Sequence, residues 1–248
     1  MRKYLFFILL CISNVSWCST KYVINLSKDE VVLDNGSNIV RPIASVTKLM
    51  TALVVIDSGL NLDEKIFYKG FSRKQMSRNE LLTLMLVKSD NRAAETLAKN
   101  VPGGMSNFIN EMNIKAVSIG MPNTHYDDPS GLSSGNISTA KDLAVLLNHV
   151  YDYYKIREIT STVSYNIPVE VKRKRKVYER HVTINNTNRN LLSEYSEIRI
   201  SKTGTTNAAG KCLAMLINHN GDKYAVVILG ERNRKTVEAL SRKIFTTL

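Results

Sequence analysis

Apolar positions along the 248-residue chain change their period several times. Residues 22–26 and 31–33 read as two short strands. From Ser45 the spacing becomes helical: Val46, Leu49, Met50, Leu53 and Val54 form one stripe, and Ala52, Val55 and Ile56 add apolar surface on the remaining faces. That pattern predicts a deeply buried helix with Gly59 as its stop. Helical spacing recurs over 80–87, 92–99, 105–119 and 140–154, the last entered through Thr139 and Asp142 in the manner of a capping box. Strand-like stretches follow at 162–171 and 177–184. The final third reads as strands at 198–203, 211–217 and 224–229, with Asn220-Gly221 as a hairpin turn between the last two, and a closing helix at 235–245. Strands at both ends with helices between them predict an α+β chain, a helical insertion within a sheet domain, without repeats or an appended module.

Composition changes this picture little. A chain that is 44% hydrophobic and 23% charged is ordinary for a globular protein of one domain or a tightly fused pair. The first twenty residues stand apart: Arg2 and Lys3 precede an apolar run over 4–12 that is too short to span a membrane, which predicts an export signal over 1–20 and a mature domain over 21–248. Cleavage after Cys18 fits the small residues around it. Lipid attachment at Cys18 is the competing reading, disfavoured by Trp17 directly before it.

Removing that segment would lower the net charge from +12 to +10 and leave Cys212 as a single thiol, expected in the core. His125, His149, His181 and His219 lack ligand spacing, so no metal site is expected. The basic run Lys172 to Lys176 predicts an exposed loop or hairpin tip. Export argues against nucleic acid as its partner and leaves peripheral association with a membrane or an anionic wall polymer as the functional alternative.

Candidate chemistry begins with Ser45-Val46-Thr47-Lys48, because residues three apart on a helix share a face. A lysine buried there loses affinity for its proton and can serve as base to the serine hydroxyl. Alone, this spacing is common. Ser89-Asp90-Asn91 lies between two predicted helices, where its short polar side chains either project into a cleft or leave Ser89 as the cap of the following helix. Lys202-Thr203-Gly204 ends a predicted strand. Alternation from Ile198 and Ile200 puts Lys202 on their side, where a lysine needs an acidic or polar partner, and Gly204 permits close approach of another backbone.

In this order the three motifs resemble those of the penicilloyl-serine transferases, the active-site serine penicillin-binding proteins and β-lactamases. Within that group the chain is similar to the D-alanyl-D-alanine carboxypeptidase and endopeptidase family through 42–52, Ser89 to Ala94, Asp128 to Ser133, Ser138 to Ala140, Asn186 to Asn188 and Lys202 to Gly210, and most similar to its endopeptidase branch. The resemblance implies an antiparallel sheet flanked by helices with an inserted all-helical subdomain, and no C-terminal extra domain. It implies Ser45 as nucleophile, Lys48 as general base, Ser89 as proton relay and Asn91 as a substrate contact. Lys202, Thr203 and Gly204 would bind the substrate carboxylate strand, and the backbone N–H groups of Ser45 and Thr205 would form the oxyanion hole.

The implied activity is a periplasmic serine DD-peptidase acting on peptidoglycan peptides without a cofactor and acylated by β-lactams. An endopeptidase acting on cross-links is preferred, with a carboxypeptidase trimming pentapeptides as the alternative. A β-lactamase is disfavoured because residues 125–136 contain no glutamate. A non-catalytic wall or β-lactam sensor is disfavoured because every reactive side chain is present. The sparse connection over 60–78, which in the family borders the cleft, implies a trimmed border open to a cross-linked peptide. Oligomeric state is not encoded in these motifs.

Overall fold

A computed structural model describes residues 19–70, 75–173 and 176–248, leaving residues 1–18 of the expected export signal, residues 71–74 of the 60–78 connection and Lys174-Arg175 of the basic run outside the described residues. The chain opens with strands β1 (Thr20–Asn25) and β2 (Glu30–Asn35), then β3 (Arg41–Pro42), and turns through a 3-10 segment (Ala44–Thr47) into helix α1 (Lys48–Asp57). A small hairpin, β4 (Lys65–Phe67) and β5 (Gln75–Ser77), leads to α2 (Arg78–Val87), α3 (Asn91–Lys99) and α4 (Gly104–Ser118). Strand β6 (Ile137–Ser138) pairs with β3, after which come α5 (Ala140–Val150), α6 (Tyr154–Ser161) and the long hairpin β7 (Ser164–Arg173) and β8 (Lys176–Asn185). Helix α7 (Arg189–Glu194), strands β9 (Ile198–Thr206), β10 (Gly210–His219) and β11 (Asp222–Glu231), and helix α8 (Arg234–Thr247) complete the fold.

The main sheet has the order β2-β1-β11-β10-β9 and is antiparallel throughout. Its two faces bury different helices, which is why 224–229 is an unbroken apolar run. Ala225, Val227 and Leu229 pack with α1 to α6, whereas Tyr224, Val226 and Ile228 pack with α7 and α8 through Leu191, Val237 and Phe245. Strand β9 lies at the sheet edge beside the inserted helices, so one of its edges is open to the cleft between the two parts.

Most predicted elements are present, and the departures have local causes. The stretch 140–154 is two helices, because the chain turns at Tyr151. The Tyr151 hydroxyl accepts from Asn218 Nδ2 at 2.9 Å, and its ring lies 5.0 Å from both the Arg157 guanidinium and the Lys223 ammonium. Thr139 caps α5 as expected, but the Asp142 carboxylate bonds Asn123 N and Thr124 Oγ1 instead of completing a capping box; Ser77 and Glu80 form one at α2. Ile198 and Ile200 do not share a face: an irregularity opposite Leu216 and Ile217 places Ile198 with α7 and α8, and only Ile200 shares the side of Lys202. Asn220 and Gly221 both have positive φ, at 49° and 86°, as the tight β10–β11 turn requires. Cys212 is buried, and burial pushes its thiol up to about 11. The pairing of β7 with β8 extends to Arg173 and Lys176, and the expected tip at Lys174-Arg175 lies outside the described residues.

Candidate active site

Ser45 stands in the 3-10 turn that leads into α1, and its position follows from two close backbone approaches. A β-carbon on Gly131, where φ is +82°, would collide with the Ala44 carbonyl, and one on Gly204 would lie 2.7 Å from Ile43 O and 3.1 Å from Ser45 N. The Ser45 turn is therefore gripped between the 128–133 loop and β9 by residues that lack side chains. Ala44 itself has φ of +48°, an unfavourable conformation for a residue with a β-carbon that these contacts hold in place.

Lys48, the first residue of α1, is 0% exposed. Its Nζ donates to Ser45 Oγ at 2.9 Å, to Asn91 Oδ1 at 2.7 Å and to the Ser130 carbonyl. Burial pushes the ammonium down to about 7, against the opposing pull of Asp128, Asp90 and Glu95. A large neutral fraction at neutral pH, in hydrogen-bond reach of a serine hydroxyl, is the requirement for a general base.

The Ser130 carbonyl is placed by Asp128, whose carboxylate accepts from the backbone N–H groups of Ser130 at 2.6 Å, Gly131 at 2.7 Å and Ser133 at 2.6 Å, and from Ser130 Oγ at 2.8 Å. Burial alone would raise the Asp128 carboxyl, but these donors outweigh it and hold it below its ordinary range. The nearby Asp127 bonds His125 Nε2 at 3.0 Å and Ser133 Oγ at 2.8 Å. Both acids of this loop thus serve its own structure.

Ser89-Asp90-Asn91 divides its three side chains among three tasks. Asp90, not Ser89, caps α3 by accepting from Ala93 N at 2.8 Å, and Tyr68 on the β4 side donates to the same carboxylate at 3.3 Å. Asn91 reaches Lys48. Ser89, with φ of +63°, points the other way and accepts from Lys202 Nζ at 2.9 Å. Lys202 is 1% exposed and also donates to the Thr203 carbonyl at 2.9 Å. Burial, then the charges of Lys48 and Arg234, drive its ammonium well below the ordinary lysine range.

Thr203 points to the opposite face of β9, where its hydroxyl bonds Thr187 Oγ1 at 2.6 Å. Arg234, at the start of α8, donates to the Thr187 carbonyl at 3.3 Å and to Asn188. Gly204 lies against Ser45, and Thr205 follows it with an exposed side chain. Of the eight sequence candidates, Ser45, Lys48 and Asn91 form one group along the cleft and Ser89 and Lys202 a second, Gly204 and Thr205 run past Ser45, and the Thr203 hydroxyl is turned to the other face towards Thr187. Among the described residues no hydrogen bond joins Lys48 to Ser89. Arg234 and Tyr68 were not singled out from the sequence. Asp128 to Ser133, which holds the Ser130 carbonyl, and Asn186 to Asn188, which holds Thr187, were noted as familial stretches without a role, and the need for glycine at 131 is the signal the first of them carried.

Known proteins resemble this chain in sequence and in fold. A sequence profile described as D-alanyl-D-alanine carboxypeptidase matches residues 65–233, a span that contains the Ser89 and Lys202 motifs and begins after Ser45. The chain is 38% identical over 224 residues to the D-alanyl-D-alanine endopeptidase of Escherichia coli, covering 84% of this chain and 69% of the relative. It is 39% identical over 217 residues to that of Pseudomonas aeruginosa, covering 81% and 67%. Among solved structures, a penicillin-binding protein of Listeria monocytogenes in its ampicillin-bound form superposes with a TM-score of 0.78 at 26% identity, covering 92% of this chain and 95% of the other.

Proposed function

The chain belongs to the D-alanyl-D-alanine carboxypeptidase family of serine peptidases, and from that premise we propose that it hydrolyses peptidoglycan cross-links as a DD-endopeptidase through an acyl-enzyme on Ser45. The observation that carries this reading is the buried Lys48, able to lose its proton near neutral pH and bonded to Ser45 Oγ at 2.9 Å. The endopeptidase preference is supported by the names of the two curated relatives and by the 60–78 connection, whose described part is little more than the short β4–β5 hairpin.

Neutral Lys48 takes the Ser45 proton as Oγ attacks the D-alanyl carbonyl carbon. The N–H groups of Ser45 and Thr205 stabilise the oxyanion, and its collapse breaks the C–N bond. The proton taken up by Lys48 passes through Ser89 to the departing amine, which leaves Lys48 neutral again for the second step. Asn91 holds both the Lys48 ammonium and the substrate, while Lys202 and Thr203 bind the carboxylate of the leaving D-residue. Water then attacks the ester with Lys48 again as base, releasing the acyl peptide and restoring Ser45. A penicillin acylates Ser45 by the same first step, but its amine stays tethered and obstructs the water. Export through residues 1–20 belongs to the same reading, since the substrate lies outside the cytoplasmic membrane.

Intact-mass measurement after incubation with benzylpenicillin is expected to show one adduct on the wild type and none on Ser45→Ala, and the same spectra of exported protein report removal of the leader. Wild-type protein without an adduct defeats the acyl-enzyme. Cross-linked muropeptide dimers are expected to fall to monomers; intact dimers alongside trimmed pentapeptide would make the enzyme a carboxypeptidase instead.

A further inference from the structure

A pocket of about 390 Å³ opens at the far end of β9, lined by Thr205, Thr206, Asn207, Lys211, Glu231 and Arg232. It adjoins the cleft directly, because Thr205 belongs to both. Thr205 on β9 faces Lys211 on β10, which in turn faces Glu231 on β11, so the three form a row across the sheet. The row is not charge-balanced towards the pocket. Glu231 is engaged elsewhere, accepting from Ser19 Oγ and lying 3.6 Å from Lys21 Nζ. Among the described residues Lys211 and Arg232 form no ion pair, so the pocket presents two free cations beside the hydroxyls of Thr205 and Thr206.

The direction of the cleft decides what would arrive there. Gly204 lies against Ser45; Lys202 and Thr203, on one side of it, take the carboxylate of the leaving residue. The acyl part of the substrate therefore runs the other way, past Thr205. From Gly204 beside Ser45 to Thr206 at the end of β9 the strand advances about 7 Å, the reach of a long side chain on the residue preceding the acylating D-alanine. Wall peptides carry a diamino acid at that place, and diaminopimelate differs from lysine there by one carboxylate. We propose that this pocket is an acyl-side carboxylate subsite in which Lys211 and Arg232 bind the side-chain carboxylate of diaminopimelate. The subsite rests on the DD-peptidase reading and adds to it a preference for substrates with that charge free.

The test uses the full chain and one scaffold, whichever of dimer or pentapeptide it cleaves, with the acyl-side diaminopimelate carboxylate either free or amidated. Amidation is expected to lower kcat/KM about tenfold through KM, as loss of a charge-assisted contact should. In Lys211→Ala/Arg232→Ala the free and amidated peptides should be cleaved equally. Penicillin acylation, measured in parallel, reports on Ser45 itself. Equal cleavage of the two peptides by a wild-type enzyme that penicillin acylates overturns the subsite alone, as does a preference that persists in the double variant. A wild-type enzyme that penicillin does not acylate overturns the DD-peptidase reading and the subsite together.

Discussion

Lys48 and Lys202 are the same residue type, both buried beside a serine hydroxyl at 2.9 Å, and they differ in company. Lys48 has three acids in its field, Asp128, Asp90 and Glu95, which oppose its desolvation and hold it near 7. Lys202 has cations, Lys48 and Arg234, which add to its desolvation. The first environment is complete as it stands and suits a group that gives and takes a proton in each cycle. The second lacks an anion, and a substrate carboxylate would supply it. Burial makes both lysines reluctant cations; neighbouring charge separates a base from an anchor.

The largest expected effect comes from removing each lysine in turn. Lys48→Met should lower the second-order rate of penicillin acylation by about 10³-fold, within the range for loss of a general base. Because it deletes a buried charge and nearly conserves volume, it should leave the melting temperature unchanged or raise it. Lys202→Met should cost about 10²-fold in kcat/KM for peptides with a free terminal carboxylate and markedly less for the terminal amide, since its loss is one of binding. Equal losses on carboxylate and amide would erase the distinction between base and anchor.

Acidity provides the next test. As the proposed base, Lys48 would act only when neutral, so acylation by penicillin should rise with pH through about 7 and fall on the acid side as the ammonium forms. A pH–rate profile of adduct formation checks this, and a rate that stays flat through pH 7 would show that Lys48 is not the group that takes the proton.

Much of this arrangement was legible in the chain. The apolar helix after Ser45 made Lys48 conspicuous, since a solvated lysine has no place in such a stripe, and the Lys202 strand carried a similar contradiction between charge and setting. What could not be read was backbone. The Ser130 carbonyl that grips Lys48 has no side-chain signature, and the bulge that turns Ile198 away from Ile200 breaks the alternation without a marking glycine or proline. Arg234 was equally opaque: a basic residue opening a helix looks like solvent-facing charge until the fold brings α8 against Asn188. The capping reading of this motif put Ser89 at the start of α3; the cap is Asp90, one residue on, and this leaves Ser89 free to meet Lys202.

That cap yields the smallest and most discriminating prediction. Asp90 sits between Ser89, which faces Lys202, and Asn91, which faces Lys48, so it sets the spacing of the two halves of the site. Tyr68→Phe removes only the 3.3 Å bond to Asp90 and leaves the bond from Ala93 N in place. It should cost about 0.5–1 kcal/mol of stability and less than about threefold in acylation. Asp90→Ala removes the cap as well, with about 1 kcal/mol further loss, and frees the left-handed backbone at Ser89. If Asp90 is a positioning residue, its loss should slow peptide cleavage more than penicillin acylation, because the strained lactam ring opens with less help from the relayed proton than a peptide bond does. Thermal melts beside the two rate measurements separate these effects. A uniform loss across both substrates, in proportion to stability, would reduce Asp90 to an ordinary helix cap.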